Sequence, residues 1–126
     1  MSASSSRWAE QARYDLDTAR AMLDSGRHLY VLFCCQQAVE KMLKALVAKR
    51  QEELPPRIHQ LVRLAEVASL EMSDEQAGFL RELSAYYIQT RYPEEISDVA
   101  SQVKEDEARR VLNRTEEMVR WLSSML

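Results

Sequence analysis

Apolar residues recur at three- and four-residue steps along nearly the whole chain, the pattern of helices that each bury one stripe. Over residues 6–25 the stripe is Trp8, Ala12, Leu16, Ala19 and Leu23. Gly26 follows, and glycine reaches the left-handed backbone angles that end a helix, so the first helix is expected to stop there. The second, over about residues 27–50, carries Leu32, Cys35, Val39, Met42 and Leu46, with a second set at Val31, Ala38, Leu43 and Ala45. An apolar surface this wide requires neighbours on two sides and makes the second helix the centre of a bundle.

Leu54-Pro55-Pro56 breaks the pattern, because proline disfavours helix in the residue before it. A short third helix follows with Leu61, Leu64, Ala65 and Ala68 on one face. Ser73 opens a fourth, and Gln76 three residues on has the spacing of a capping box. Phe79, Leu80, Leu83, Tyr86 and Tyr87 carry that helix to about Thr90, where Arg91-Tyr92-Pro93 ends it. Residues 94–102 are polar and read as a loop, or as a short helix opened by Pro93 and two glutamates. The last helix, residues 104–123, presents Ala108, Val111, Leu112, Thr115, Met118, Val119 and Leu122. These segments predict an all-α, up-and-down bundle of four to five helices. A single domain spans 1–126, with a flexible N-terminus over residues 1–5.

Composition supports this reading and narrows the chemistry. Only 2 glycines and 3 prolines occur in 126 residues, too few for the tight turns of a sandwich or barrel. The net charge of −3 gives no global attraction to nucleic acid or acidic membranes, so phosphate binding would need a local cluster of Arg and Lys. Cys34 and Cys35 are adjacent and point apart on a helix; with no disulfide framework, they fit a reducing cytoplasm. Residues 1–6 are polar and lack the apolar core of a signal peptide, and the longest apolar run, residues 31–35, is far too short to span a membrane. A cytoplasmic location is expected.

Three places carry candidate chemistry. On the central helix, Gln36, Gln37, Glu40, Lys41 and Lys44 interrupt the apolar pattern. Gln37, Lys41 and Lys44 share a face at four- and three-residue steps, where two ammonium groups and an amide suit phosphate oxygens. Charge pattern alone favours an ordinary solvated stripe, with Glu40 and Lys44 as an i,i+4 pair. Near the end of the fourth helix, Tyr87 and Arg91 lie one turn apart and are followed by Tyr92-Pro93. Here a guanidinium can fork onto phosphate while a tyrosine stacks on a base, or Arg91 can simply neutralise the helix's carbonyl end. Of the two histidines, His28 and His59, both fall near helix starts, positions that suit capping or packing. They and the cysteines match no structural zinc spacing, and no glycine-rich phosphate loop is present, so neither metal nor cofactor is expected.

Taken together these segments resemble the HEPN domain family. Trp8-Ala9 with Tyr14-Asp15-Leu16 and Ala19 is similar to the family's opening helix. Residues 35–45, Cys-Gln-Gln-Ala-Val-Glu-Lys-Met-Leu-Lys-Ala, are close to its hallmark helix. Ile58-His59-Gln60-Leu61 and residues 87–94, Tyr-Ile-Gln-Thr-Arg-Tyr-Pro-Glu, follow in the family's order. The resemblance implies a helical bundle, often a homodimer, that commonly works beside a minimal nucleotidyltransferase in a toxin–antitoxin or related pair. Some members are metal-independent ribonucleases carrying arginine and, four to six residues later, histidine. Here positions 96, 97 and 98 are Ile, Ser and Asp, so that motif is incomplete after Arg91. The expected function is therefore a non-catalytic module binding nucleotide or RNA phosphates through Arg91, Tyr87, Tyr92, Lys41, Lys44 and Gln37. Two alternatives stand beside it: a ribonuclease toxin using Arg91 with His59 as a different proton carrier, and a purely structural adaptor.

Overall fold

The computed structural model describes residues 3–51, 55–89 and 102–126, the last three of the middle stretch by backbone alone. Five α-helices stand among them: α1 (Ala3–Asp24), α2 (His28–Gln51), α3 (Leu61–Val67), α4 (Asp74–Gln89) and α5 (Glu105–Ser123). No strand occurs among the described residues. The spacing-based boundaries lie within a few residues of these.

The helix ends follow from local chemistry. Gly26 takes φ +75°, which lets the Gly26 N–H donate to Leu23 O at 3.1 Å and the Arg27 N–H to Met22 O at 2.8 Å. Two carbonyls that a helix end leaves open are thus satisfied. The Ser73–Gln76 capping box closes as its spacing requires: the Gln76 N–H donates to Ser73 Oγ (3.1 Å) and the Ser73 N–H to Gln76 Oε1 (2.9 Å). Glu105, Asp106 and Glu107 fill the first turn of α5, where carboxylates meet the positive end of the helix dipole.

The chain does not wait until residue 6 to become helical, as the N-terminal expectation had it. Ala3–Ser5 belong to α1, and the buried Ser5 hydroxyl donates to the Ala45 carbonyl of α2 at 2.9 Å. A serine-rich start reads as solvent-loving, but one such hydroxyl placed against a neighbouring backbone carbonyl holds the first turn down.

The end of α3 repeats the geometry of Gly26 with a residue less suited to it. Ser69 sits at φ 58°, its N–H donating to Glu66 O (2.9 Å) and that of Leu70 to Ala65 O (3.0 Å). An L-residue with a side chain is disfavoured there by roughly 1–2 kcal/mol relative to its ordinary conformations. Glycine also loses more freedom on folding, which offsets part of the gain. Ser69→Gly is expected to stabilise the fold by about 0.5–1 kcal/mol, raising Tm by roughly 2–4 °C in a thermal melt. An unchanged or lower Tm would show that the turn is not strained by serine.

α2 packs against all four other helices, and its burial extends around most of its circumference. Leu32, Met42, Leu43 and Leu46 of α2 meet Leu61 and Leu64 of α3, Leu80 and Leu83 of α4, and Leu122 of α5 in one core. α1 lies against α2 through Ala9, Ala12 and Ala19, all fully buried. Small side chains there let the two backbones come close. Trp8 is only half-buried at the edge of this seam, and Ala9 rather than Trp8 occupies the core position.

Two seams are open among the described helices. No Cα of α1 comes within 8 Å of one in α3 or α4, and the same holds between α4 and α5. Long side chains bridge the second seam: Arg110 pairs with Glu82, Arg114 reaches Glu75 at 3.3 Å, and the Arg114 guanidinium lies 4.9 Å from the Phe79 ring centroid. The first seam holds the candidate site. Among the described residues, no helix is long and apolar enough to cross a membrane.

Candidate functional site

The polar strip of α2 runs along the floor of the seam between α1 and the α3–α4 side. Glu40 is at its centre and is buried, with 3% of its surface exposed. Residues one turn before and after it on the helix converge on its carboxylate. Gln36 Nε2 donates to Oε1 at 2.9 Å and Lys44 Nζ to Oε2 at 3.1 Å. His59 closes the group from the segment before α3, its Nδ1 lying 3.1 and 3.2 Å from the two oxygens. An ionised carboxylate only accepts hydrogen bonds, so Nδ1 is the nitrogen that carries the proton.

The strip is therefore not a solvated stripe. Glu40 and Lys44 are the expected i,i+4 pair, but α1 and the His59 segment cover them. On α1, Trp8 and Asp15 lie two turns apart and meet two lysines of the antiparallel α2. Lys44 Nζ is 5.2 Å from the Trp8 ring centroid, and Lys41 Nζ is 2.7 Å from Asp15 Oδ2. Gln37 Nε2 donates to Gln36 Oε1 at 2.7 Å. Lys41, Lys44 and Gln37 thus share a region as their spacing predicts, with each polar group already engaged. The Leu61 N–H donates to Ser84 Oγ of α4 at 2.9 Å, which ties the His59 segment to the other wall.

This geometry gives His59 a defined ring orientation. Its side chain is 46% exposed, while the carboxylate that holds Nδ1 is desolvated. A buried carboxylate behind a half-exposed imidazole fixes its tautomer and orientation. An imidazole oriented in this way can exchange a proton with a bound group. His28, by contrast, is the first residue of α2, about 18 Å along the helix axis from Glu40.

Of the other sequence candidates, Arg91 and Tyr92 lie outside the described residues. Tyr87 is described by its backbone alone, in the last turn of α4.

The thiols next to the strip are poor nucleophiles. Burial, with Asp15 adding and Lys41 opposing, pushes Cys34 up to about 11; burial above all pushes Cys35 up to about 12. Neither forms a thiolate to a useful extent near neutral pH. Among the described residues no three His, Cys, Asp or Glu side chains gather as metal ligands.

A second polar group, across the α4–α5 seam, was not singled out by the sequence. Tyr86 donates to Glu82 Oε2 at 2.7 Å, and Arg110 bridges Glu82 and Glu107. Burial alone would raise the Glu82 carboxyl, but hydrogen bonds from Arg110 and Tyr86 hold it below its usual range. The Glu82–Tyr86 and Glu107–Arg110 spacings were visible in the sequence; the pairing between the two helices was not.

The HEPN domain family model matches residues 5–125. TT1696 from Thermus thermophilus superposes with a TM-score of 0.81 at 27% identity, over 97% of this chain and 98% of that one. ST0689, an archaeal HEPN homologue, superposes with a TM-score of 0.77 at 24% identity, over 96% of each chain, and shows the same fold. No functionally curated protein matches. With the family pattern running through all five described helices, the chain belongs to the HEPN domain family.

Proposed function

We propose that this HEPN protein is a non-catalytic homodimeric module that binds nucleotide or RNA phosphates and partners a minimal nucleotidyltransferase in a toxin–antitoxin-like pair. The observation that carries the reading is the Glu40–His59 contact, which fixes a half-exposed imidazole at the mouth of a polar trough. The Leu61–Ser84 bond sets that mouth beside α4, one turn before Tyr87, and Arg91 follows Tyr87 four residues later in the sequence. Lys41 and Lys44 are matched in charge by Asp15 and Glu40, so they do not make the trough positive on their own. The cation that meets phosphate is then Arg91, and His59 supplies a hydrogen bond. Tyr87 or Tyr92 supplies a ring or a hydroxyl, and Gln37, Lys41 and Lys44 act from the floor.

Equilibrium binding of nucleotides and short RNAs, with RNA integrity followed on gels from the same samples, tests this. The expected result is saturable binding with intact RNA. Arg91→Ala should weaken it by roughly 10- to 100-fold, since a charge-assisted hydrogen bond contributes about 1.5–3 kcal/mol. Helical content by circular dichroism should not change. Undiminished binding in Arg91→Ala would remove the assignment.

The same Glu40–His59 contact favours one second reading. A carboxylate-oriented imidazole is how many enzymes hold a general acid or base. RNA cleavage that disappears in His59→Ala would identify a ribonuclease with His59 in place of the missing downstream histidine. Neither binding nor cleavage would leave a structural adaptor.

A further inference from the structure

We infer that the outward face of the first turns of α1 is a nucleobase ledge, on which the planar ring of a nucleotide lies against Trp8 while its phosphate pairs with Arg7. The inference rests on the nucleotide-binding reading above and names where the base goes.

Ser4, Arg7, Trp8 and Gln11 line a shallow hollow of the α1 surface that is open to solvent. Ser4 and Gln11 are two turns apart on one line of the helix; Arg7 and Trp8 diverge by about 100° between them and form the two sides. Four residues of one helix make a shelf that a nucleotide can lie on, open to solvent on its outer side. It suits a nucleobase and its sugar, not a folded partner.

The character of the lining selects the ligand. Trp8 is half-buried, with Lys44 held near its ring by Glu40, so the indole is fixed in position before any ligand arrives. Among the described residues, the side chains of Ser4, Arg7 and Gln11 have no hydrogen bond or ion pair. Arg7 differs in this from Lys41 and Lys44, which are matched by carboxylates. An aromatic wall, an unmatched guanidinium, an amide and a hydroxyl around one hollow complement a flat, hydrogen-bonding, anionic molecule. Stacking on an indole is tolerant of base identity, and Arg7 supplies the phosphate partner.

The ledge is also joined to the trough. Successive contacts of 5.2, 3.1 and 3.1 Å lead from the Trp8 ring through Lys44 and Glu40 to His59. Consecutive nucleotides of an RNA end can span the ledge and the phosphate site.

The chain has two tryptophans, so Trp121→Phe leaves Trp8 as its sole indole reporter. Titrating this variant with AMP, adenosine, ribose 5-phosphate and a 5′-phosphorylated hexa-adenylate tests the ledge by fluorescence, with calorimetry in parallel. AMP and adenosine should quench Trp8 saturably, and ribose 5-phosphate should not. Arg7→Gln should weaken AMP roughly three- to tenfold and leave adenosine unchanged. Trp8→Leu, which keeps apolar bulk beside Lys44, should weaken both by roughly five- to a hundredfold. Tighter binding of the hexanucleotide than of AMP would identify an RNA end as the occupant, and the reverse a free nucleotide.

AMP bound in the calorimeter without a Trp8 response, and insensitive to Arg7→Gln, overturns the ledge. If that binding is lost in Arg91→Ala, the phosphate-binding reading survives alone. Binding that depends on Trp8 and Arg7 but not on Arg91 keeps the ledge and removes the other site. No saturable binding of any probe removes both.

Discussion

Glu40→Ala is expected to lower the unfolding free energy by about 3–5 kcal/mol, the usual loss when one member of a buried ion pair is deleted. Domains of this size are stable by only about 5–15 kcal/mol, so the variant should lose between about a fifth and nearly all of its stability. The reason is what remains behind. Lys44 has 8% of its side chain exposed, and without Glu40 its ammonium is left with the face of the Trp8 ring and no carboxylate in contact among the described residues. Gln36, fully buried, loses its acceptor, and the His59 segment loses its anchor on α2. Urea denaturation followed by circular dichroism measures the loss. The double variant Glu40→Leu with Lys44→Met removes both charges and fills the space, so it should recover most of the stability. A Glu40→Ala variant within 1 kcal/mol of the parent would mean that water reaches the pair and that it is no more than a surface contact.

That cluster also marks where sequence reasoning stopped. Periodicity gives the faces of a helix, and it placed Gln37, Lys41 and Lys44 together, as the fold does. It does not reveal what covers a face. The groups that bury Glu40 and Lys44 come from residue 8 on one side and residue 59 on the other, and nothing local to residues 36–44 announces them. The same limit explains Ser5 and the Arg110–Glu82 bridge, both set by contacts between distant segments. Helix ends were legible because their chemistry is local: Gly26 needs only its own φ, and Ser73 and Gln76 bond one another. Ser69 escaped notice because serine does not advertise a left-handed conformation as glycine does.

The candidate site was legible in pieces. The α2 strip and His59 were read as separate features, each with an ordinary packing explanation; the fold makes them one group with Glu40 at its centre. The role assigned to Glu40 changed most, from an exposed helix-pair partner to the acceptor for three side chains. Arg91 and Tyr92 remain assignments from the motif, which is why Arg91→Ala is the substitution on which the proposed function turns.

Leu46→Ala carries the other large expected effect, a loss of about 3–5 kcal/mol. Leu46 is fully buried on α2, the helix that contacts every other described helix, so its surroundings are held from several directions. A cavity opened there cannot close by the shift of one neighbour, and Leu→Ala losses grow with the volume that stays empty. Leu46→Met keeps nearly the same volume and should cost less than about 1.5 kcal/mol. Tyr14→Ala, at a side chain 68% exposed, should stay within about 0.5 kcal/mol. The three, measured together by urea denaturation, test whether α2 is the mechanical centre of the bundle. A Leu46→Ala loss below about 2 kcal/mol would show that the helices around α2 relax into the gap, and that the Glu40 cluster rests on a softer scaffold than the packing implies.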